Sequence, residues 1–132
     1  MRRVEVVAAV VIRDGRVLLS RRPEGVHLAG LWEFPGGKVH PEESEAEALI
    51  RELEEELGVS GARIGECLCR VEHAYPEKEV ALAFFRTELP EGVEPRAVEV
   101  AELCWADGET LGRLPLPPAD RPLVELLRSE LT

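Results

Sequence analysis

Apolar residues along this 132-residue chain follow two rhythms, and the change between them marks its elements. Val4 to Ile12 is an almost unbroken apolar run of strand length. Asp14-Gly15 follows, a pair suited to a two-residue hairpin turn, and Arg16 to Arg22 is the partner strand. Further on, Ala62 to His73 reads as a strand, Tyr75-Pro76-Glu77-Lys78 as its turn and Glu79 to Leu89 as the return. In that return Val80, Leu82 and Phe84 alternate with Ala81, Ala83 and Phe85, so both of its faces are apolar. Pro90 to Pro95 is loop, Glu102 to Ala106 a short strand, and Asp107 begins a small helix. Pro117-Pro118-Ala119-Asp120 opens a last helix through about Ser129. With no repeat, low-complexity tract or linker, the order predicts one α/β domain over residues 1–132, a mixed β-sheet held between helices.

The other rhythm belongs to a helix between Ser44 and Gly58. At about 100° per residue, Ala46, Leu49, Ile50, Leu53 and Leu57 share one arc roughly 100° wide, the predicted buried face. Ser44 and Glu47 form a capping box with Pro41 just outside it, and Gly58 stands where a left-handed residue stops a helix. Glu52, Glu55 and Glu56 occupy a second arc whose centre is turned by about 110° from the first, beside the core. Like charges three and four apart repel by a few tenths of a kcal/mol per pair, and only Arg51 lies among them. The pattern alone fits an acidic solvated face. It also fits a divalent cation, because magnesium takes carboxylate oxygens and brings phosphates with it. Just upstream, Leu31-Trp32-Glu33-Phe34 leads into Pro35-Gly36-Gly37-Lys38-Val39. Adjacent glycines there let the backbone turn sharply or approach a ligand closely.

Composition narrows the field. Apolar residues make up 45% and charged ones 32%, ordinary values for a soluble globular protein. A net charge of −10 argues against duplex nucleic acid, whose binding needs cationic patches. No apolar run approaches the roughly 20 residues of a membrane span, and the start of the chain lacks a small-residue cleavage site, so a cytoplasmic location is expected. Cys67, Cys69 and Cys104 lack zinc-type spacing. They are expected to be buried reduced thiols, with Cys67 and Cys69 on the same side of one strand.

Gly37 to Val59 resembles the Nudix box: a glycine, five residues, a glutamate, seven residues, then Arg-Glu-aliphatic-any-Glu-Glu-any-Gly-aliphatic. Gly37, Glu43, Arg51, Glu52, Leu53, Glu55, Glu56, Gly58 and Val59 meet all nine specified positions across 23 residues. Outside the box the chain is similar to the MutT-type branch at Ser20-Arg21-Arg22, at His27 before Leu28-Ala29, at Leu31 to Gly37 and at Pro117-Pro118-Ala119-Asp120. The resemblance implies a Nudix fold (α/β/α) and cleavage of a (deoxy)nucleoside triphosphate to monophosphate and pyrophosphate with Mg2+ or Mn2+. It makes Glu52, Glu55 and Glu56 the metal-binding and water-activating carboxylates, with Gly36 among the metal positions. Glu52 is then the base, in a role Glu55 or Glu56 could exchange with it. Glu99, six residues before Trp105, matches a fourth carboxylate, with Glu102 as the alternative. Glu43 and Arg51 look like the pair that ties loop to helix, and Arg22 and His27 match positions near the phosphates. Read without the resemblance, Arg22 and His27 fit the surface equally well.

Asp120 is the implied contact to the base; Phe34 and the pair Phe84-Phe85 are candidate walls of a base pocket, though aromatics in strands more often belong to the core. The 8-oxo-dGTP branch usually has asparagine where this chain has Asp120, and the branch's CTP pyrophosphohydrolases show Pro-Ala-Asp as here. An ionised aspartate only accepts and suits the amino group of cytosine or adenine; one that keeps its proton when buried donates instead. Asp120 also suits the N-cap of the last helix. The expected partner is a small nucleotide, neither duplex nucleic acid nor membrane, and the expected state a monomer or weak dimer. Two other readings stand beside nucleotide-pool cleaning. One is a Nudix-fold sensor that does not cleave; the other is a hydrolase of ADP-ribose, a nucleotide sugar or capped RNA.

Overall fold

A computed structural model describes residues 2–26 and 29–132. The first apolar run divides at Val11 into β1 (Arg2–Val10) and β2 (Ile12–Arg13), and Asp14 and Gly15, both at positive φ, turn it into β3 (Arg16–Arg21). Two short strands follow, β4 (Trp32–Glu33) and β5 (Gly36–Lys38), and then α1 (Glu45–Leu57). The long hairpin is β6 (Arg63–Ala74) and β7 (Lys78–Glu88), and β8 (Glu102–Ala106) matches its predicted bounds. α2 (Gly108–Arg113) is capped by Asp107, whose side chain accepts from the Thr110 N–H. The last helix is shorter than expected: a 3-10 turn over Pro118–Asp120, α3 (Arg121–Leu127), and a second 3-10 turn over Arg128–Glu130.

The strands form two sheets where one was expected. The first has the order β5-β1-β7-β6, with β1 parallel to β7 and its other pairs antiparallel. In the second, β3 pairs with β2, β4 and β8. The break at Val11 lets one apolar run serve both sheets. Helices pack on opposite faces, as a layered α/β fold requires. Val7 and Ala9 of β1 join Ala83 and Phe85 of β7 in one core layer with Leu49, Leu53 and Leu57 of α1. Ala8 and Val10 join Leu82 and Phe84 in the other, with Leu111, Leu123 and Leu127 of α2 and α3. Each fully buried leucine contributes about 1.5–3 kcal/mol of transfer free energy.

Two expectations about facing are corrected. The buried arc of α1 runs from Ala48 to Leu57, while Ala46 and Ile50 are only half-buried. The helix is therefore rolled toward its acidic flank, which draws Glu52 and Glu56 inward and leaves Glu55 outside. Cys67 and Cys69 do not share a buried side: Cys67 pairs with Phe85 and Cys69 with the adjacent Phe84, so a bulge interrupts the alternation. Cys67 is exposed, and Cys69 and Cys104 are half-buried, all three as free thiols.

Candidate active site

The expected capping box starts α1: the Ser44 side chain accepts from the Glu47 N–H at 3.1 Å, and the Glu47 carboxylate accepts from the Ser44 N–H at 2.8 Å. Gly58 ends the helix at φ 66°, its N–H donating to the Glu54 and Leu53 carbonyls. The loop between β7 and β8 closes that end. The N–H groups of Val98 and Glu99 donate to the Glu56 carbonyl at 3.0 and 3.1 Å, and the N–H of Arg96 to the Leu57 carbonyl at 2.9 Å. The helix bearing the acidic cluster is thus pinned at both ends.

Arg51 ties this helix to the glycine loop. Its guanidinium donates to both Glu43 oxygens at 2.6 and 2.9 Å and to the Lys38 carbonyl at 3.0 Å. Hydrogen bonds from Arg51 and from the His40 N–H hold the Glu43 carboxyl down at about 2. The same guanidinium reaches Glu52 at 2.8 Å and Glu55 at 3.4 Å. Arg51 therefore gathers two acidic groups besides its expected partner. Among the described residues, no three His, Cys, Asp or Glu side chains converge on one point that could hold a metal ion.

Beside α1 opens a cavity of about 280 Å³. Its lining includes Glu52, Glu56, Gly36 and Gly37, Asp120 with Ala119 and Phe34, Tyr75 and Lys78, and the apolar Val6, Leu82 and Phe84. Phe34 is buried and meets Phe84 edge-on at 5.7 Å. Phe85 faces the α1 layer instead, so the expected aromatic pair splits between layers and only Phe84 reaches the cavity.

One short segment runs past both acidic groups: the Phe34 backbone favours the ionised form of Asp120, and two residues on the Gly36 backbone does the same for Glu56. Burial drives Asp120 up to about 7, with the charge of Glu33 adding to the effect. Asp120 makes no side-chain hydrogen bond as a cap of α3, so its expected alternative role is not the one it fills. Glu56 is pushed up to about 8, chiefly by burial and then by the charges of Glu52 and Glu33. One of its oxygens, Oε1, is buried with no hydrogen-bond partner. A buried carboxylate oxygen without a donor costs free energy that a bound cation removes, so the donors here fit a hard divalent ion. Glu52 is raised by its own burial, against the pull of Arg51.

Of the remaining expected residues, Arg22 lines the cavity. Glu55 is exposed and does not line the cavity. Glu99 is also exposed, joined to the site through its backbone. Glu102 pairs with Arg21 at 3.1 Å, away from the cavity. His27 lies outside the described residues. Sequence reasoning missed Glu33, whose carboxylate takes Arg22 Nη1 on both oxygens at 3.0 Å. The signal was a lone acid between Trp32 and Phe34 in a strand, where an exposed glutamate reads the same way. Tyr75 and Lys78 were read only as a turn.

Residues 6–126 match the NUDIX domain, and the chain belongs to that family. It is 42% identical over 125 residues to the CTP pyrophosphohydrolase of Escherichia coli (strain K12), an alignment covering 95% of this chain and 91% of that protein. To the 8-oxo-dGTP diphosphatase of Haemophilus influenzae it is 37% identical over 126 residues, covering 94% and 91%. The crystal structure of the MutT protein from Methanosarcina mazei Go1 matches with a TM-score of 0.83 at 31% identity, covering 98% of this chain and 95% of that one. No helix among the described residues is long and apolar enough to cross a membrane.

Proposed function

We propose that this chain, acting as one Nudix domain, hydrolyses a nucleoside or deoxynucleoside triphosphate to the monophosphate and pyrophosphate and so cleans the nucleotide pool. The observation that carries this reading is the partnerless Oε1 of Glu56 in a cavity of about 280 Å³ that Asp120 also lines. Nudix hydrolases generally use divalent metal ions. Here Glu52 and Glu56, with the exposed Glu55 on the same helix, are the residues that would hold Mg2+ or Mn2+, and Gly36 and Glu99 are the further candidates. When bound, such a cation neutralises phosphate oxygens and the leaving pyrophosphate.

The chain's own residues supply the rest. Glu52 takes the proton of the attacking water, a task for which its upward shift brings it nearer working pH. Glu43 and Arg51 hold the glycine loop against α1 and touch no substrate. Arg22 meets the phosphates, Phe34 lies against the base and Asp120 reads its edge. The relatives' names offer two bases, cytosine and 8-oxoguanine. An ionised Asp120 favours the amino group of cytosine, a protonated one the oxidised purine. The enzyme is expected to act in the cytoplasm as a monomer or weak dimer.

The test is a panel of triphosphates, including CTP, 5-methyl-dCTP and 8-oxo-dGTP, with pyrophosphate measured under magnesium. Release of pyrophosphate that stops with EDTA is the expected result. Release of phosphate and a diphosphate, or activity that survives EDTA, would overturn the mechanism. A nucleotide sensor predicts binding without turnover, and an ADP-ribose hydrolase predicts AMP from that substrate.

A further inference from the structure

Glu33 has no part in the reaction just outlined, yet it lines the same cavity as Glu52, Glu56 and Asp120. β3 and β4 pair Ser20 with Glu33 and Arg21 with Trp32, so Arg22, two residues beyond Ser20, lies diagonally from Glu33 on the same face. The backbone fixes the diagonal: the Arg22 N–H donates to the Leu31 carbonyl at 2.9 Å, and the Gly30 N–H to the Arg22 carbonyl at 3.1 Å. Arg22 Nη1 then meets both Glu33 oxygens at 3.0 Å, and each side chain is about one quarter exposed.

Stability alone does not account for this pair. Two charges brought out of water lose hydration that their attraction repays only in part, and apolar residues of similar size are often as good or better. A third carboxylate beside Glu52 and Glu56 also adds repulsion, and the charge of Glu33 does push Glu56 and Asp120 upward. Arg22 pulls both of those groups down. Arg22 and Glu33 line the same cavity as Glu52, Glu56 and Asp120, so a nucleotide bound there would meet the Arg22 guanidinium.

We propose that Glu33 is a positioning residue: it anchors the Arg22 guanidinium in the cavity that Glu56 and Asp120 also line, where Arg22 receives the substrate. Glu33 acts through Arg22 and does not touch the nucleotide. This rests on the triphosphate-hydrolase reading above and adds a residue that neither the box nor the relatives' names point to.

A double-mutant cycle with Glu33→Gln and Arg22→Ala tests it, using kcat and KM on the preferred triphosphate and calorimetric binding of CMP and 8-oxo-dGMP in EDTA. Glutamine keeps the shape and one acceptor, so folding is preserved and checked by thermal melting. Each single change should raise KM and the monophosphate Kd by roughly 10-fold, the scale of one charge-assisted hydrogen bond, with kcat changed far less. Because Glu33 works only through Arg22, the double variant should bind no more than about twofold worse than Arg22→Ala. Multiplied losses would mean that Glu33 meets the substrate itself and would overturn the proposal, as would a Glu33→Gln enzyme with wild-type KM. A wild-type protein that binds no nucleotide and cleaves none would sink the parent reading, and this one with it.

Discussion

Gly37 stands so close to Glu52 that a Cβ built on it would lie 2.6 Å from both carboxylate oxygens. Backbone conformation does not demand the glycine, since its φ is not among the positive values. The carboxylate does. Gly37→Ala should therefore leave the fold intact and move the end of Glu52, the flexible partner. A misplacement of about 1 Å can cost about 10²-fold, so kcat should fall by that order while the melting temperature barely changes. Unfolding of the variant, or near-normal kcat, would contradict this account.

The raised carboxyl of Glu56 makes a prediction about pH. Its ordinary value is 4.5 and its folded value about 8, so between these the folded state binds more protons than the unfolded state. Stability from this group is complete below pH 4.5 and is lost as pH rises through about 8. In EDTA the wild-type melting temperature should thus decline across that window, and Glu56→Gln should flatten part of the decline. Cation binding below about pH 8 should release a proton, which calorimetry in buffers of different ionisation enthalpy would detect. The same substitution should lower kcat by at least roughly 10²-fold, the scale of losing one strong electrostatic contribution. A pH-independent difference between the two proteins would defeat the assignment.

Asp120→Asn should exchange an acceptor for a group that both donates and accepts. One base-edge hydrogen bond discriminates by about 1–3 kcal/mol, so the kcat/KM ratio of CTP to 8-oxo-dGTP should move roughly 5- to 150-fold toward the purine. Most of the change should fall on KM, because the base lies away from the reacting phosphorus. In the wild type the same ratio should rise as pH passes about 7, where Asp120 loses its proton. An unchanged ratio would exonerate Asp120 and turn attention to Tyr75 and Lys78.

Arg51→Ala should lower the melting temperature and the activity together. Five hydrogen bonds to Glu43, Glu52, Glu55 and Lys38 end on this one guanidinium. Glu43→Ala should copy most of the stability loss, and the double variant should lose little more than Arg51→Ala. The Glu43 share of stability holds above pH 4.5 and fades as pH falls toward about 2. Additive losses in the cycle would show that the two residues do not act as a unit.

What the sequence disclosed follows from how local the cause was. Capping at Ser44 and Gly58, the Asp14-Gly15 turn and the apolar alternation of β7 are set by neighbours within a few residues, and the fold keeps them all. Properties that depend on distant packing were less legible. A helical wheel cannot know that α1 rolls toward its acidic flank, so Ala46 took the place of Ala48 and the inward lean of Glu52 and Glu56 was understated. Strand alternation cannot reveal a bulge, which is why Cys67 is exposed and Cys69 half-buried. Glu33 remained hidden because its meaning lies in Arg22, Glu56 and Asp120, residues on three other parts of the chain.

The tight packing of Gly36 and Gly37 also bears on how this pocket could change its substrate. A Cβ at Gly36 would lie 2.7 Å from the Ala8 Cα, and one at Gly37 would strike Glu52. The reacting end therefore has almost no freedom to vary. The far wall differs, since Val4, Tyr75, Lys78 and Val80 come from strand ends and a turn that the glutamate helix does not support. A directed-evolution library confined to those four positions should yield new base preferences while leaving the chemistry intact, whereas randomising the glycines should return only inactive clones.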